Sequence, residues 1–87
     1  MAEGQNYRPV FSDLAAEFML SLPRRRQRRV MDRARELARA PFMVSDYSLR
    51  DADGREIEHL MTDSFIFTYW VDHAARLVMI TEIDDAE

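Results

Sequence analysis

Residues 54–83 constrain the fold of this chain more than any other stretch, because three apolar-rich runs alternate there with short polar turns. The connections between the runs, residues 62–64 and 72–76, are short enough for β-hairpins. We therefore expect an antiparallel meander in the second half of the chain. Its three strands would cover residues 55–61, 65–71 and 77–83.

Two helices are expected before the meander. Ser12 or Asp13 can cap the first helix, and Pro23 stands where the second would begin, at a position that needs no donated hydrogen bond. Pro41 ends the second helix. The short link predicts an antiparallel helical hairpin. The apolar residues that recur at helical spacing are Leu14, Ala15, Phe18 and Leu22 in the first helix, and Val30, Ala34, Leu37 and Ala38 in the second.

The remaining segments add short elements around this frame. Residues 7–11 are compatible with a short edge strand, since Pro9 is tolerated only at an edge. Residues 47–50 are compatible with the start of another strand, and residues 51–54 favour a turn with Gly54 at positive φ. The expected fold is α+β, with a short N-terminal strand and a helical hairpin packed on one face of a three- or four-stranded antiparallel sheet.

Length and composition limit the class of protein. The 87 residues suffice for one domain, residues 1–87, and we expect residues 1–6 and 84–87 to be flexible. The absence of cysteine excludes disulfides and thiolate metal sites. No apolar run is long enough to span a membrane, and the first residues lack the pattern of a signal peptide. We expect a cytoplasmic protein without a metal, a cofactor or a membrane partner.

Side-chain alternation assigns two faces to the meander if Met61 pairs with Phe65 and Val71 with Leu77. A register slip of one residue would exchange these assignments. The face expected to meet the helices carries Ile57, His59, Met61, Phe65, Phe67, Tyr69, Val71, Leu77, Met79 and Ile83. The face expected to be exposed carries Glu56, Glu58, Leu60, Ile66, Thr68, Trp70, Val78, Ile80 and Glu82.

The exposed face is the candidate partner-binding surface, because an apolar patch around a tryptophan is typical of an interface. Its glutamates favour a partner that carries lysine or arginine. The alternative is a core on both sides of the sheet, with residues 42–50 folded over the patch. His59 falls on the expected core face, where a hydrogen-bonded structural histidine is the simpler interpretation. His73 falls in a turn.

Charge is divided unevenly in a chain whose net charge is −4 and whose twelve basic residues are all arginine. The first forty residues are net positive and the rest strongly negative, which disfavours nucleic-acid binding unless the arginines share one surface. The arginine-rich segment either forms a solvated helix face or contacts RNA or an acidic partner. The candidates for that contact are Arg24, Arg25, Arg26, Arg28 and Arg29.

The order of these patterns resembles the RelE/ParE superfamily of bacterial toxins. The helical part is VFSDLAAEFMLSLPRRRQRRVMDRARELARAPF, and the sheet part is GREIEHLMTDSFIFTYWVD followed by RLVMITEIDDA. The resemblance implies a toxin of a type II toxin–antitoxin module that is neutralised by a cognate antitoxin. It implies either mRNA cleavage in the ribosome, as in the RelE branch, or action on DNA gyrase, as in the ParE branch.

The chain departs from the nuclease pattern of that family. Residues 56–58 are acidic where basic residues are common, Ile66 stands where arginine is common, and neither arginine nor a terminal tyrosine follows the last strand. RNA cleavage needs a base, positive charge and a leaving-group acid. The weak catalytic candidates are Arg50, Arg55 and Arg76, which can equally form surface ion pairs with neighbouring aspartates. A catalytically silent interaction module with the same fold is therefore the alternative to ribosome-dependent mRNA cleavage.

Overall fold

A computed structural model of the protein describes residues 6–42 and 45–86. Two helices and five strands lie within these residues. In chain order they are β1 (Arg8–Phe11), α1 (Asp13–Leu20), α2 (Arg24–Arg39), β2 (Tyr47–Arg50), β3 (Glu56–Thr62), β4 (Phe65–Asp72) and β5 (Leu77–Asp85).

The five strands form one sheet in the order β1-β5-β4-β3-β2. β1 runs parallel to β5, and the other neighbouring pairs are antiparallel. The expected α+β fold with an N-terminal strand, a helical hairpin and a C-terminal meander is confirmed. The sheet has five strands rather than three or four, because both short segments, residues 8–11 and 47–50, join it.

The start of α1 is fixed by Ser12, as one of the two sequence alternatives predicts. Its hydroxyl accepts a hydrogen bond from the backbone N–H of Ala15 at 3.1 Å and donates one to the carbonyl of Thr81 at 2.7 Å. The first contact caps the helix, and the second fastens the cap to β5. α2 begins directly after Pro23, which has extended backbone torsions and no side-chain cap.

The core lies between the two helices and one face of the sheet. The four predicted inner residues of α2 are all buried, whereas Leu14 of α1 shares the apolar spacing but is 57% exposed. Alanines on the helices let the backbones approach the large side chains of the sheet closely. The buried residues are Ala15, Val30, Ala34, Leu37, Ala38, Phe65, Phe67, Tyr69, Val78, Ile80 and Ile83.

The register of β3 differs from the expected one by a single residue. Thr62 pairs with Phe65, so the connection is a two-residue turn in which Asp63 and Ser64 both have positive φ. Two-residue turns of this kind match the twist of a β-hairpin. Neither Asp63 nor Ser64 is a glycine or asparagine, the residue types that would have predicted such a turn from the sequence. The assignments for β3 are therefore wrong: Glu56, Glu58 and Leu60 lie on the helix face, and Ile57, His59 and Met61 lie on the outer face.

The register of β5 also differs from the expected one by a single residue along the first half of the strand. Asp72 pairs with Leu77 and Val71 with Val78, which places Val78 and Ile80 in the core and Leu77 and Met79 on the outer face. The exposed positions predicted for Val78 and Ile80 are therefore wrong.

A bulge then restores the predicted alternation further along β5. Thr68 pairs with Glu82 while Tyr69 pairs with Ile80, so Thr81 is the extra residue. Beyond it, Ile83 is in the core and Glu82 is outside, as predicted.

The last strand is longer at its end than the sequence predicts. β5 continues through Asp84 and Asp85, which pair with Ile66 and Phe65 and belong to the segment predicted to be flexible. Residues 1–5 and 87, also predicted to be flexible, lie outside the described residues. Within the described residues no helix is long and apolar enough to cross a membrane.

Candidate partner-binding sites

A groove of about 710 Å³ opens where α2 ends. Pro41, just after the helix, is buried, and Phe42 is 68% exposed at the rim. This cavity, named here the α2-end groove, brings together residues from the segment after α2 and from β2, β3 and β4. Its lining residues are Pro41, Phe42, Ser45, Tyr47, Ser48, Arg55, Glu56, Glu58, Trp70, Val71, Asp72 and His73.

Three rings are ordered at one end of the α2-end groove. The rings of Phe42 and His73 stack with their centroids 5.0 Å apart and their planes 10° apart. The hydroxyl of Tyr7 forms a hydrogen bond with Nδ1 of His73 at 2.8 Å, and the Tyr7 ring meets Phe42 edge-on. These contacts hold an exposed aromatic surface and a titratable imidazole beside the groove.

The α2-end groove carries uncompensated negative charge. Glu58 accepts a hydrogen bond from the Ser45 hydroxyl, but neither Glu58 nor Glu56 forms an ion pair with any residue in the described part of the chain. Burial, with the negative charges of Glu58 and Asp46, raises the pKa of Tyr69 to about 12. A phosphodiester would be repelled here, whereas a cation would be attracted.

The arginine beside this groove is already engaged. The guanidinium of Arg55 contacts the carboxylates of Asp51 at 3.2 Å and Asp53 at 3.1 Å, and it lies 4.7 Å from the centre of the Trp70 ring. The backbone N–H of Arg55 donates to Asp51 and holds the pKa of that carboxyl below its ordinary value. Arg55 is thus held by its own turn rather than left to neutralise the glutamates.

The face of the sheet opposite the helices, named here the outer face, has no helix packed on it in the described residues. Ile66, Thr68, Trp70 and Glu82 lie on it, as predicted. The corrected register removes Glu56, Glu58, Leu60, Val78 and Ile80 from the predicted surface. It adds Ile57, His59, Met61, Leu77 and Met79, and β2 contributes Tyr47 and Leu49.

A shallow apolar cavity of about 540 Å³ lies on the outer face beside β2. The rings of Tyr47 and His59 stack there 4.3 Å apart and nearly parallel. The backbone N–H of Met61 donates to the carboxylate of Asp46 at 2.6 Å, which fixes the segment before β2. The prediction of a hydrogen-bonded core histidine is wrong for His59, because it lies on the outer face and its buried Nδ1 has no partner among the described residues.

Three solved structures share this architecture. The RelBE2 toxin–antitoxin complex from Mycobacterium tuberculosis contains a chain that is 23% identical, with a TM-score of 0.76 over 92% of this chain and 98% of that one. The RelE–RelB complex from Pyrococcus horikoshii OT3 gives 16% identity and a TM-score of 0.69, over 93% and 96% of the two chains. The intact RelBE complex from Escherichia coli gives 16% and 0.61, over 93% and 98%.

This chain has a RelE-like fold. The similarity extends over almost the full length of all three chains, so it includes the helical hairpin and the sheet together. No protein-family model matches the chain, and no curated protein sequence matches it. The expected resemblance in fold is therefore confirmed by structure.

The arginine-rich segment lies on α2 of the RelE-like fold, and its five predicted contact residues divide into two groups. Arg26 makes a two-pronged contact with Asp85 at 3.0 and 3.2 Å and covers the Phe65 ring at 4.6 Å, so it ties α2 to β5. The other predicted contact residues are exposed and form no ion pair with any described residue. They are Arg24, Arg25, Arg28 and Arg29.

The three arginines proposed as catalytic candidates lie at two turns of the RelE-like fold. Arg50 donates to the carbonyl of Gly54 at 3.0 Å, and Arg55 is held by the same β2–β3 turn. Arg76 lies in the β4–β5 turn, where its carbonyl accepts from the N–H of Arg8. No group of His, Cys, Asp or Glu within the described ranges has the arrangement of a metal site.

Sequence reasoning missed most of the α2-end groove. It treated His73 as a solvated turn residue and left residues 42–50 ambiguous. Phe42 and His73 are far apart in sequence, and only the folded structure brings their rings into contact. The available signal was local: an aromatic residue directly after the proline that ends the second helix.

Proposed function

We propose that this protein is the toxin component of a type II toxin–antitoxin module and that a cognate antitoxin neutralises it. The support is the RelE-like fold, which matches chains from three RelE–RelB complexes over nearly their full length. The fold is shared by proteins of more than one activity, so the activity itself rests on the residues discussed below.

The antitoxin binds across the outer face in this proposal. Exposed apolar side chains cluster there, including Met61 at 61%, Leu49 at 60% and Tyr47 at 55% exposure. Such a patch on a small protein is typical of a protein interface, and the adjacent Trp70 is of the residue type that most often dominates binding energy. Asp46, Glu82 and Asp84 carry negative charge near this face and favour an antitoxin with basic side chains.

Ribosome-dependent mRNA cleavage is the activity we propose for the free toxin. Glu58 and His73 line the same groove and are of the types that serve as general base and general acid. The negative charge of the groove opposes the capture of free RNA, so the ribosome must supply both the RNA and its positioning. The exposed arginines of α2 would contribute contacts to ribosomal RNA.

A catalytically silent interaction module is the second candidate, and the charge of the α2-end groove favours it. Stabilising a phosphorane requires positive charge at the reacting phosphate. In the part of the chain that the structure describes, Arg55 is the arginine in the groove lining, and it is already bound to two aspartates. The same fold can therefore retain partner binding without cleavage.

Induced expression in a bacterial host separates these functions. Ribosome-dependent cleavage predicts growth arrest and cut ends in a translated reporter mRNA, whereas a matched reporter without a start codon stays intact. Free RNA mixed with the purified protein should also stay intact. Growth arrest with DNA damage and intact mRNA would indicate gyrase as the target. Normal growth would favour the catalytically silent interaction module.

Variants then test the groove as the site of cleavage. We expect Glu58→Gln and His73→Gln each to reduce reporter cleavage by about a hundredfold or more, because each removes a proton-transfer group. Glu82→Gln, on the outer face, changes the same kind of side chain outside the groove and should cleave normally. Equal cleavage by all three variants would remove the α2-end groove from the mechanism.

A further inference from the structure

The α2-end groove combines an exposed aromatic surface with carboxylates that lack an internal counter-ion. Phe42 is 68% exposed and stacks on His73, while Glu56 and Glu58 form no ion pair with any residue of the described chain. The two carboxylates line the same groove as the Phe42 ring. The combination is suited to a long cationic side chain, whose stem packs on the ring while its head meets the carboxylates.

Strand pairing fixes the backbone positions of Glu56 and Glu58 in the sheet. Glu58 pairs with Tyr69 across β3 and β4, and Ser48 and Arg50 pair with Glu58 and Glu56 across β2 and β3. The Ser45 hydroxyl donates to Glu58 and restrains its carboxylate. A restrained carboxylate loses less side-chain entropy when it binds a cation than a freely rotating surface glutamate does.

The electrostatic environment selects the sign of the ligand. The pKa of Tyr69 is raised to about 12 by its burial and, in addition, by the charges of Glu58 and Asp46. The arginine that lines the groove, Arg55, is occupied by Asp51 and Asp53. Glu56 and Glu58 form no ion pair within the described residues, so their carboxylates repel phosphate and attract an ammonium or guanidinium group.

We propose that the α2-end groove is the docking site for an arginine or lysine side chain of the protein partner. The identity of that partner as an antitoxin rests on the proposed function, whereas the docking chemistry rests on the groove. The groove thus extends the partner interface from the outer face around to the end of α2. Because Glu58 and His73 line the same groove, the docked side chain would also occupy the candidate acid–base site.

A capped oligoarginine peptide is the probe for this site, with a capped oligoglutamate peptide as the control for sign. Titration calorimetry of the full chain should show binding of the first and none of the second. The double variant Glu56→Gln/Glu58→Gln should weaken oligoarginine binding by about tenfold, because two partly exposed ion pairs are lost. Phe42→Ala should weaken it by about threefold through the loss of the aromatic contact.

The matched control is Asp13→Asn/Glu17→Gln on α1, which makes the same change in net charge outside both the groove and the outer face. It should alter oligoarginine binding by less than about twofold. Equal weakening by the two double variants would show that the peptide responds only to net charge and would overturn the site. A larger effect of the control than of Glu56→Gln/Glu58→Gln would overturn the site, and so would the absence of any binding.

A second copy of the chain is the competing occupant, since its exposed α2 arginines are cationic. Sedimentation velocity tests it without peptide: the proposal expects a monomer. Oligomers that are abolished both by Glu56→Gln/Glu58→Gln and by Arg24→Gln/Arg28→Gln would assign the groove to self-association instead. Growth arrest is measured separately, so a chain that arrests growth but ignores oligoarginine keeps the proposed function and loses this site.

Discussion

Both faces of the sheet carry apolar side chains, but they differ in how far those side chains are buried. On the helix face, Phe67 and Ile80 are fully buried beneath small helical residues such as Ala34. On the outer face, Met61 and Leu49 are mostly exposed, although they belong to strands of the same sheet. Coverage by the helices, rather than side-chain type, separates core from surface. The burial of an apolar residue in this sheet can therefore be predicted only when the pairing register of its strand is known.

The strongest test of this difference is a pair of truncations. Phe67→Ala should lower the free energy of unfolding by about 3–5 kcal/mol, because it opens a cavity in the helix-covered core. Met61→Ala, across the sheet, should cost no more than about 0.5 kcal/mol. Urea denaturation measures both, and Phe67→Leu provides a milder variant if the alanine variant does not fold. Similar losses at the two positions would contradict the assignment of faces.

Alkaline titration probes the helix face at Tyr69. Its pKa rises from 10.0 to about 12 in the folded protein, so the folded state holds the hydroxyl proton more tightly than the unfolded state does. This contribution is fully present below pH 10 and is lost as the pH rises to 12, amounting to about 3 kcal/mol.

The matched variants for this titration are Tyr69→Phe and Tyr47→Phe. Stability measured against pH should decline less between pH 10 and 12 in Tyr69→Phe than in the wild type. Tyr47→Phe removes a hydroxyl from an exposed ring of the outer face and should keep the wild-type decline. A Tyr69→Phe variant with an unchanged decline would show that another group causes it.

Ser12 tests how the helices are fastened to the sheet. Ser12→Ala removes both the cap of α1 and the hydrogen bond to Thr81, and we expect a loss of about 1 kcal/mol in unfolding free energy. Ser21→Ala removes an exposed hydroxyl that bonds only within its own helix end, so its cost should stay below about 0.5 kcal/mol. Thermal unfolding of the two variants resolves this difference, and a reversed order would contradict the fastening role.

The smallest effect is expected on the outer face at Arg55. Its contacts with Asp51, Asp53 and the Trp70 ring are partly exposed, so Arg55→Gln should cost less than about 1 kcal/mol. Tryptophan fluorescence should nevertheless change, because a cation leaves the face of the indole. Arg50→Gln, in the same turn but without that ring contact, should leave the emission unchanged. A stability loss above that of Ser12→Ala would show that the turn supports the core.

The sequence was sufficient for the element order and for one strand of the sheet. In β4, large aromatic residues alternate with Ile66 and Thr68, and the predicted faces of that strand are confirmed. The four inner residues of α2 were also predicted, because a helix with one apolar stripe permits a single orientation. These successes rest on local periodicity.

The faces of β3 and β5 depended on hairpin turns that the sequence does not reveal. Asp63 and Ser64 form a two-residue turn at positive φ, and Arg76 takes positive φ in the second turn. None of them is glycine, so composition gave no warning. Because both faces of β3 and β5 carry apolar residues, hydropathy could not correct the error. The α2-end groove was missed for a further reason, since it depends on the contact between Phe42 and His73, which are far apart in the sequence.

β2 is one of the two edge strands of the sheet. Among the described residues only β3 pairs with it, and all four residues of β2 are exposed. A strand with a free hydrogen-bonding edge and the exposed side chains of Tyr47 and Leu49 is a template for aggregation, which its short length and the terminal Arg50 only partly prevent. Newly synthesised chains should therefore precipitate as their concentration rises. The yield of soluble protein should increase when a partner that covers this edge is produced at the same time.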